Sequence, residues 1–472
     1  MHDFLFISIL PPLILLSLFH PWSGLLVFGW IVILKPESLL FSLAAEMSLS
    51  LIIATTTAVS WAFSKERKSF DVDLTTILFI ALASAAALST ATSLTPDASE
   101  KELLNILRNI VFLLLLRVML TSRLRLDSYI WLLAFAMIVF GLRLITSFIA
   151  AIGEIDVSGP FLVEIIDRHH LAFAMLIALP LLNYLWLQSR HRWTQICLLA
   201  ATVVVVTAIV TTGSLAAVLG LLVTATYILW NSKRSLLSLF ALLLLAIGLH
   251  SMMPAAWKER LDLVQATDNP AVVGPLPTWQ TYLTAALDRP LTGVGLDALE
   301  QAPIFIRYAP ALDQIEIEST TRLGAQSTFF QVLGDLGFFG LAIYVALLVT
   351  GFCNARWISQ RGRSRSDFKW MGDLGRMVQV CIVTFCILGA VHPMAFYETF
   401  LSLLIVVSAV RCMAKETSGE QHSRPIRCHQ SGVPVDMSAI AAIWQKAADS
   451  KVSDLHRRHS GRRLSSDSAS AK

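Results

Sequence analysis

Asp167-Arg168-His169-His170 sets a carboxylate, a guanidinium and two imidazoles side by side. Such a group can hold a phosphate or relay a proton along hydrogen bonds. It makes a poor metal pair, because neighbouring helical side chains point about 100° apart. A solvated helix cap is the plain alternative, and the sequence leaves both open. Arg108, Arg117 and Arg143 fall inside apolar runs. A charge there marks either an internal pair or snorkelling side chain, or an anion site for a group such as a diphosphate. Other chemistry is excluded. There is no Walker sequence, no HExxH and no GxSxG, and Gly293-Val294-Gly295 follows no strand and has no third glycine in register. The six cysteines (Cys197, Cys353, Cys381, Cys386, Cys412, Cys428) form no CxxC pair and avoid the long connection at 252–325, so neither a disulfide nor a thiolate metal site is expected. His422, His429, His456 and His459 have no ligand spacing. The expectation is no metal and no cofactor.

The elements that must position these residues are membrane helices. Of the 472 residues, 55% are hydrophobic and 15% charged, and the mean hydropathy is +0.66. A soluble domain carries about 25% charged residues. So much apolar surface along the whole chain excludes a soluble enzyme, a disordered protein and a disulfide scaffold. Long unbroken apolar runs, rather than alternating strands, exclude a β-barrel. The fold class expected is all-α: a polytopic integral membrane protein with 12–13 transmembrane helices and one large periplasmic loop. The first apolar run lacks a basic flank and a small-residue cleavage site, so a cleaved signal is not expected.

Spans are read at 4–19, 24–35, 43–63, 74–92, 104–121, 128–151, 170–188, 195–211, 214–230, 236–250, 327–352, 377–391 and 396–411. The second is short enough to be re-entrant. The connections at 64–72, 122–127, 189–193, 231–235 and 353–376 are basic, whereas those at 93–103 and 152–169 are acidic or poor in Lys and Arg. This alternation places the basic loops and the C-terminal tail in the cytoplasm. Four regions follow: a helix bundle over 1–251, the large periplasmic loop over 252–325, further membrane helices over 326–411, and a basic, Ser-rich, mostly disordered tail over 412–472. The run Gly334-Asp335-Leu336-Gly337-Phe338-Phe339-Gly340 has three glycines at a spacing of three, which predicts close helix packing. Membrane lipids are the expected neighbours, with no nucleic-acid partner.

Three segments in order carry a family likeness. They are Thr211-Thr212-Gly213-Ser214-Leu215-Ala216-Ala217; Trp279 followed by Arg289-Pro290-Leu291-Thr292-Gly293-Val294-Gly295; and Ala325-Gln326-Ser327-Thr328 running on to Gly337. Together they resemble the O-antigen ligase and polymerase superfamily. Pro21-Trp22-Ser23-Gly24, Leu34-Lys35-Pro36 and Asp167-Arg168-His169-His170-Leu171-Ala172 look most like its exosortase-associated putative O-glycosylation ligases. The likeness covers about residues 1–411.

The resemblance implies metal-independent glycosyl transfer at the outer face of the bacterial inner membrane. The donor implied is a glycan on a polyprenyl diphosphate; the acceptor is a lipid, a protein hydroxyl or another glycan. Gln326, His169 and His170 would serve the acceptor hydroxyl, and Arg168, Arg322, Arg289, Arg307 and Trp279 would hold the donor. Three positions depart from the family pattern. Leu215 and Pro275 stand where arginine is usual, and Gln326 stands where histidine is usual. Glutamine can hydrogen-bond but cannot titrate near neutral pH. Two further readings therefore stand beside transfer: a catalytically degenerate relative that binds lipid-linked glycan or scaffolds an assembly, and a lipid-linked glycan transporter.

Overall fold

The structure, a computed structural model, describes residues 2–34, 49–64, 72–152, 168–212, 215–230, 275–309, 324–364 and 368–417. At some helix ends, Arg168, His169 and His170 among them, only the backbone is described. Arg322, the expected span at 236–250 and the tail beyond Thr417 lie outside the described residues.

The described chain is α-helical with no strand. The helices are α1 (His2–Phe19), α2 (Pro21–Leu34), α3 (Leu49–Phe63), α4 (Leu74–Ala91), α5 (Pro96–Met119), α6 (Arg123–Ile152), α7 (Arg168–Gln188), α8 (Arg192–Thr211) and α9 (Leu215–Trp230). They continue with α10 (Pro275–Asp288), a 3-10 turn (Ala298–Glu300), α11 (Ala302–Tyr308), α12 (Thr328–Ser364), α13 (Lys369–Gly389) and α14 (Glu398–Thr417). Six helices, α4, α6, α7, α8, α12 and α13, are long and apolar enough to cross a membrane. The protein is therefore a multi-pass membrane protein. Helices α2 and α3 are apolar but shorter.

Burial orders the bundle. In α13 and α7, 78% and 72% of the spanning stretch is buried, against 33% in α4 and α8. The first two form the centre, and α4 and α8 lie at the rim. On α4, Phe79, Leu82, Ala86 and Ser89 pack inward while Leu74, Ile77, Ile80 and Leu88 are about half exposed. In water that outer face would be an aggregation surface; facing lipid it costs nothing. Helix α12 packs on both α13 and α4, and α10 packs on α12.

Two expected boundaries move. The basic connection expected at 353–376 is mostly helix, because α12 runs to Ser364 and α13 begins at Lys369. Arginines there extend a helix past the apolar region, where their heads reach water. Helix α14 likewise continues to Thr417, past the end of the span read at 396–411.

Arg117 belongs to an internal pair. It is 9% exposed; its Nε lies 3.7 Å from Asp73 Oδ1, and it donates to Cys412 Sγ at 3.1 Å. Asp73 caps α4 by accepting from the Thr76 backbone and hydroxyl, and Ser408 donates to its second oxygen. Burial pushes the Asp73 carboxyl up, but Ser408, Thr76 and the Arg117 charge outweigh it and hold it below the ordinary carboxylate range. Alongside, Arg411 donates to Asn354, which donates to Thr75 at 3.2 Å. These links tie α4, α5, α12 and α14 together at the end of the bundle opposite α10.

Candidate functional site

The segment 289–297, which joins α10 to the 3-10 turn, fills a break in α12. At Gly337 the backbone leaves the helical region (φ 69°, ψ −173°). A break strands the carbonyls and amides of the preceding turn, and near lipid such groups must find partners. They find them in the inserted loop. Val294 N–H donates to Gly334 O at 3.0 Å, Phe338 N–H donates to Pro290 O at 2.8 Å, and the Ser89 hydroxyl of α4 donates to Asp335 O. The loop is also tied to the α4–α5 corner. Leu94 N–H donates to Val294 O at 3.0 Å, Ser99 Oγ to Leu296 O at 2.7 Å, and Arg289 to Thr92 O.

Glycine is required where these backbones meet. Gly293 (φ 68°) and Gly337 (φ 69°) both have positive φ. A Cβ on Gly337 would lie 2.6 Å from Pro290 O, and one on Gly293 would strike the Asp335 carbonyl. The expectation of close packing from the three-glycine run is thus half met. Gly334 does let Tyr282 and Leu299 approach, but Gly337 interrupts the helix, because only a residue without Cβ adopts that conformation readily.

Next to the plug, the 324–328 segment is held from four sides. Trp279 Nε1 reaches Gln326 O at 3.4 Å, and the Trp279 ring stacks on Phe330 with centroids 5.3 Å apart. The Tyr282 hydroxyl meets the Ala325 backbone. Ser327 Oγ donates to Gly389 O at 3.2 Å, at the end of α13. Thr328 Oγ1 donates to His392 O at 2.7 Å and accepts from Met394 N–H at 2.9 Å. Glu300 Oε1 would lie 3.3 Å from a Cβ on Gly324. Gln326 itself is half-buried. Its backbone carbonyl is therefore held by the Trp279 indole.

Carboxylates form the third part. Asp297 and Glu300 gather near the buried Asp335 of α12, with Glu102 of α5 nearby. Burial, then Glu300 and Glu102, push Asp297 up to about 7. Burial, then Glu102, push Glu300 up as well. Among the described residues, no group of three or more His, Cys, Asp or Glu is placed to hold a metal ion.

The structure brings Trp279 and Gln326 together. Arg289 lies across the corner at Thr92. Arg307 is exposed on α11 with its guanidinium 5.6 Å from the Tyr308 ring, and Tyr308 donates to Asp288 at 2.7 Å. Arg322 lies outside the described residues, as do the side chains of Arg168, His169 and His170. Sequence reasoning missed Asp297, Glu300 and His392. Nothing local marks the two acids, which gather only through the fold. His392 sits in the short connection between two expected spans, the one available signal. A groove of about 320 Å³ between Thr95–Ala98 and Gln301–Ile304 holds none of the expected residues.

The stretch that runs from α8 through α10 and the plug to α12 is also the part of the chain with a known counterpart. Residues 200–345 match the O-Antigen ligase family. Residues 1–153 match a family of unknown function (DUF5935). No curated protein matches the chain. The matched region contains the sequence Thr211–Ala217, Trp279, the plug, Gln326 and the Gly337 break. It supports a place in the O-antigen ligase superfamily and a lipid-linked glycan as the general kind of substrate.

Proposed function

We propose that this protein transfers a glycan from a polyprenyl-diphosphate lipid to a lipid, protein or glycan acceptor at the periplasmic face of a bacterial inner membrane. The observation that carries the reading is that, in the region matching the O-Antigen ligase family, the Trp279 indole bonds to the Gln326 backbone at the end of a bundle of membrane helices. In the transfer, the acceptor oxygen bonds to the anomeric carbon, the bond from that carbon to the diphosphate oxygen breaks, and the acceptor proton leaves. Gln326 orients the acceptor hydroxyl, with His169 or His170 as proton carrier. Arg168, Arg322, Arg289 and Arg307 are the cations available to the leaving diphosphate in place of a metal. Trp279 offers an aromatic face to a sugar ring. The plugged loop shields the centre from water. The membrane helices belong to 1–251 and 326–411, the cap to 252–325, and the tail to the cytoplasm.

Deletion of the gene, followed by gel analysis of surface polysaccharide and glycoproteins, tests this. A changed glycan profile restored by the wild-type gene is expected, and an unchanged profile would count against transfer.

One set of observations favours a second reading, a degenerate relative that binds lipid-linked glycan without transferring it. Leu215, Pro275 and Gln326 stand at the usual arginine and histidine positions, and Arg289 spends a donor on the Thr92 carbonyl.

A further inference from the structure

Helix α10 meets three different surroundings. Thr278, Thr281, Tyr282 and Ala285 are buried against the body of the protein. At about 100° per residue, Leu276, Leu283 and Leu287 fall within an arc of roughly 40° on another side, and they are 66%, 39% and 65% exposed. Gln280, Thr284 and Asp288 are exposed and occupy a polar arc beyond the leucines. Trp279, half-buried, stands at the border between the leucine stripe and the buried face. A helix lying on a protein in water has two sectors, one buried and one polar. A third, exposed and apolar, beside a polar one is the pattern of a helix lying in the plane of a membrane surface, with an aromatic residue at the boundary.

The level of α10 agrees. Its C-terminal end is fixed to the end of one membrane helix and to the break in another. Arg289 bonds to Thr92, just past the last residue of α4, and Pro290 bonds to Phe338, just past the break in α12. There the leucine stripe runs on through Leu291, 70% exposed, to the exposed rings of Phe338 and Phe339 on α12. The apolar strip is thus continuous with the surface that α12 presents to lipid.

We propose that α10 is an in-plane membrane helix, with Leu276, Leu283 and Leu287 seated among phospholipid acyl chains and Gln280 and Thr284 facing water. The arrangement sets Trp279 and Gln326 at headgroup depth. It goes beyond the glycan-transfer reading and does not depend on it, since its test needs neither donor nor acceptor.

The test places a photoreactive benzophenone side chain, one position at a time, at Leu276, Leu283, Leu287 or Thr284 of the full chain. The protein is reconstituted in vesicles of phosphatidylethanolamine and phosphatidylglycerol, irradiated and analysed by mass. A fifth site, Leu142 on the lipid-facing side of α6, reports that the protein has inserted. Phospholipid adducts from 276, 283 and 287, with a marked loss of them at 284, are expected. Equal adducts at 283 and 284 would overturn the proposal. So would chain-to-chain adducts from 283 or 287, which would make the stripe an interface between copies, or absence of lipid adducts at the leucines while Leu142 gives them.

Discussion

Val294 and Gly334, far apart in sequence, share a 3.0 Å backbone hydrogen bond that closes a break in a membrane helix. The connection after α10 is therefore not a loose cap. It completes α12, and α12 in turn fixes the loop, so the outer layer and the bundle stabilise each other.

The plug predicts different fates for two glycine substitutions. Gly337→Ala forces a Cβ to within 2.6 Å of the Pro290 carbonyl at positive φ. Strain of this kind costs on the order of 1–3 kcal/mol, and the thermal midpoint in detergent falls accordingly. Gly324→Ala meets only the flexible carboxylate of Glu300 at 3.3 Å, and its midpoint moves little. Equal losses from the two would show that the break is not the sensitive point.

At the Trp279–Gln326 pair, Trp279→Ala removes both the stack on Phe330 and the indole N–H. Stacking of this kind contributes about 0.5–1.5 kcal/mol. Glycan transfer in a complementation assay drops with Trp279→Ala, and Trp279→Phe restores part of it. For Gln326, the alanine variant loses transfer while the histidine variant keeps it. A wild type without transfer that gains it in the Leu215→Arg, Gln326→His double variant would instead identify a degenerate relative.

The carboxylates beside the plug predict a pH dependence of known sign. Asp297 rises from its ordinary 3.8 to about 7, so between those values the folded protein binds more protons than the unfolded chain. Its contribution to stability is fully present below pH 3.8 and is lost as pH rises through 7. Glu300, raised as well, acts in the same direction. Asp297→Asn therefore raises the thermal midpoint more at pH 8 than at pH 5, by an amount on the order of a few kcal/mol in unfolding free energy. An identical gain at both pH values would refute the assignment.

At the opposite end the sign reverses. Asp73 lies below its ordinary range, so its contribution is present above pH 3.8 and fades as pH falls through the depressed value. Asp73→Asn leaves the Arg117 charge without its carboxylate, and losing one partner of a buried pair costs roughly 3–5 kcal/mol. The double variant Asp73→Asn, Arg117→Met recovers much of that loss. Chemical denaturation of the three proteins in detergent measures the coupling.

What the sequence determined by itself was the membrane class and the approximate places of most helices. Lipid demands long apolar runs, and a span such as Leu74–Ala91 or Arg192–Thr211 advertises itself by length and hydropathy alone. It also ordered the segments that match the O-antigen ligase family, with Trp279 and Gln326 among them. Tertiary structure decided the rest, because each remaining feature depends on partners distant in the chain. Arg117 reads equally as an anion ligand or a paired charge until Asp73 comes within 3.7 Å. Gly337 reads as a packing glycine until Pro290 and Val294 arrive to satisfy a broken helix. Asp297 and Glu300 are ordinary surface acids in sequence, and only burial beside Glu102 raises them. Hydrophobicity is a local property that one residue can announce. Hydrogen bonding, charge pairing and strain are relations, and they exist only once the fold has chosen both members.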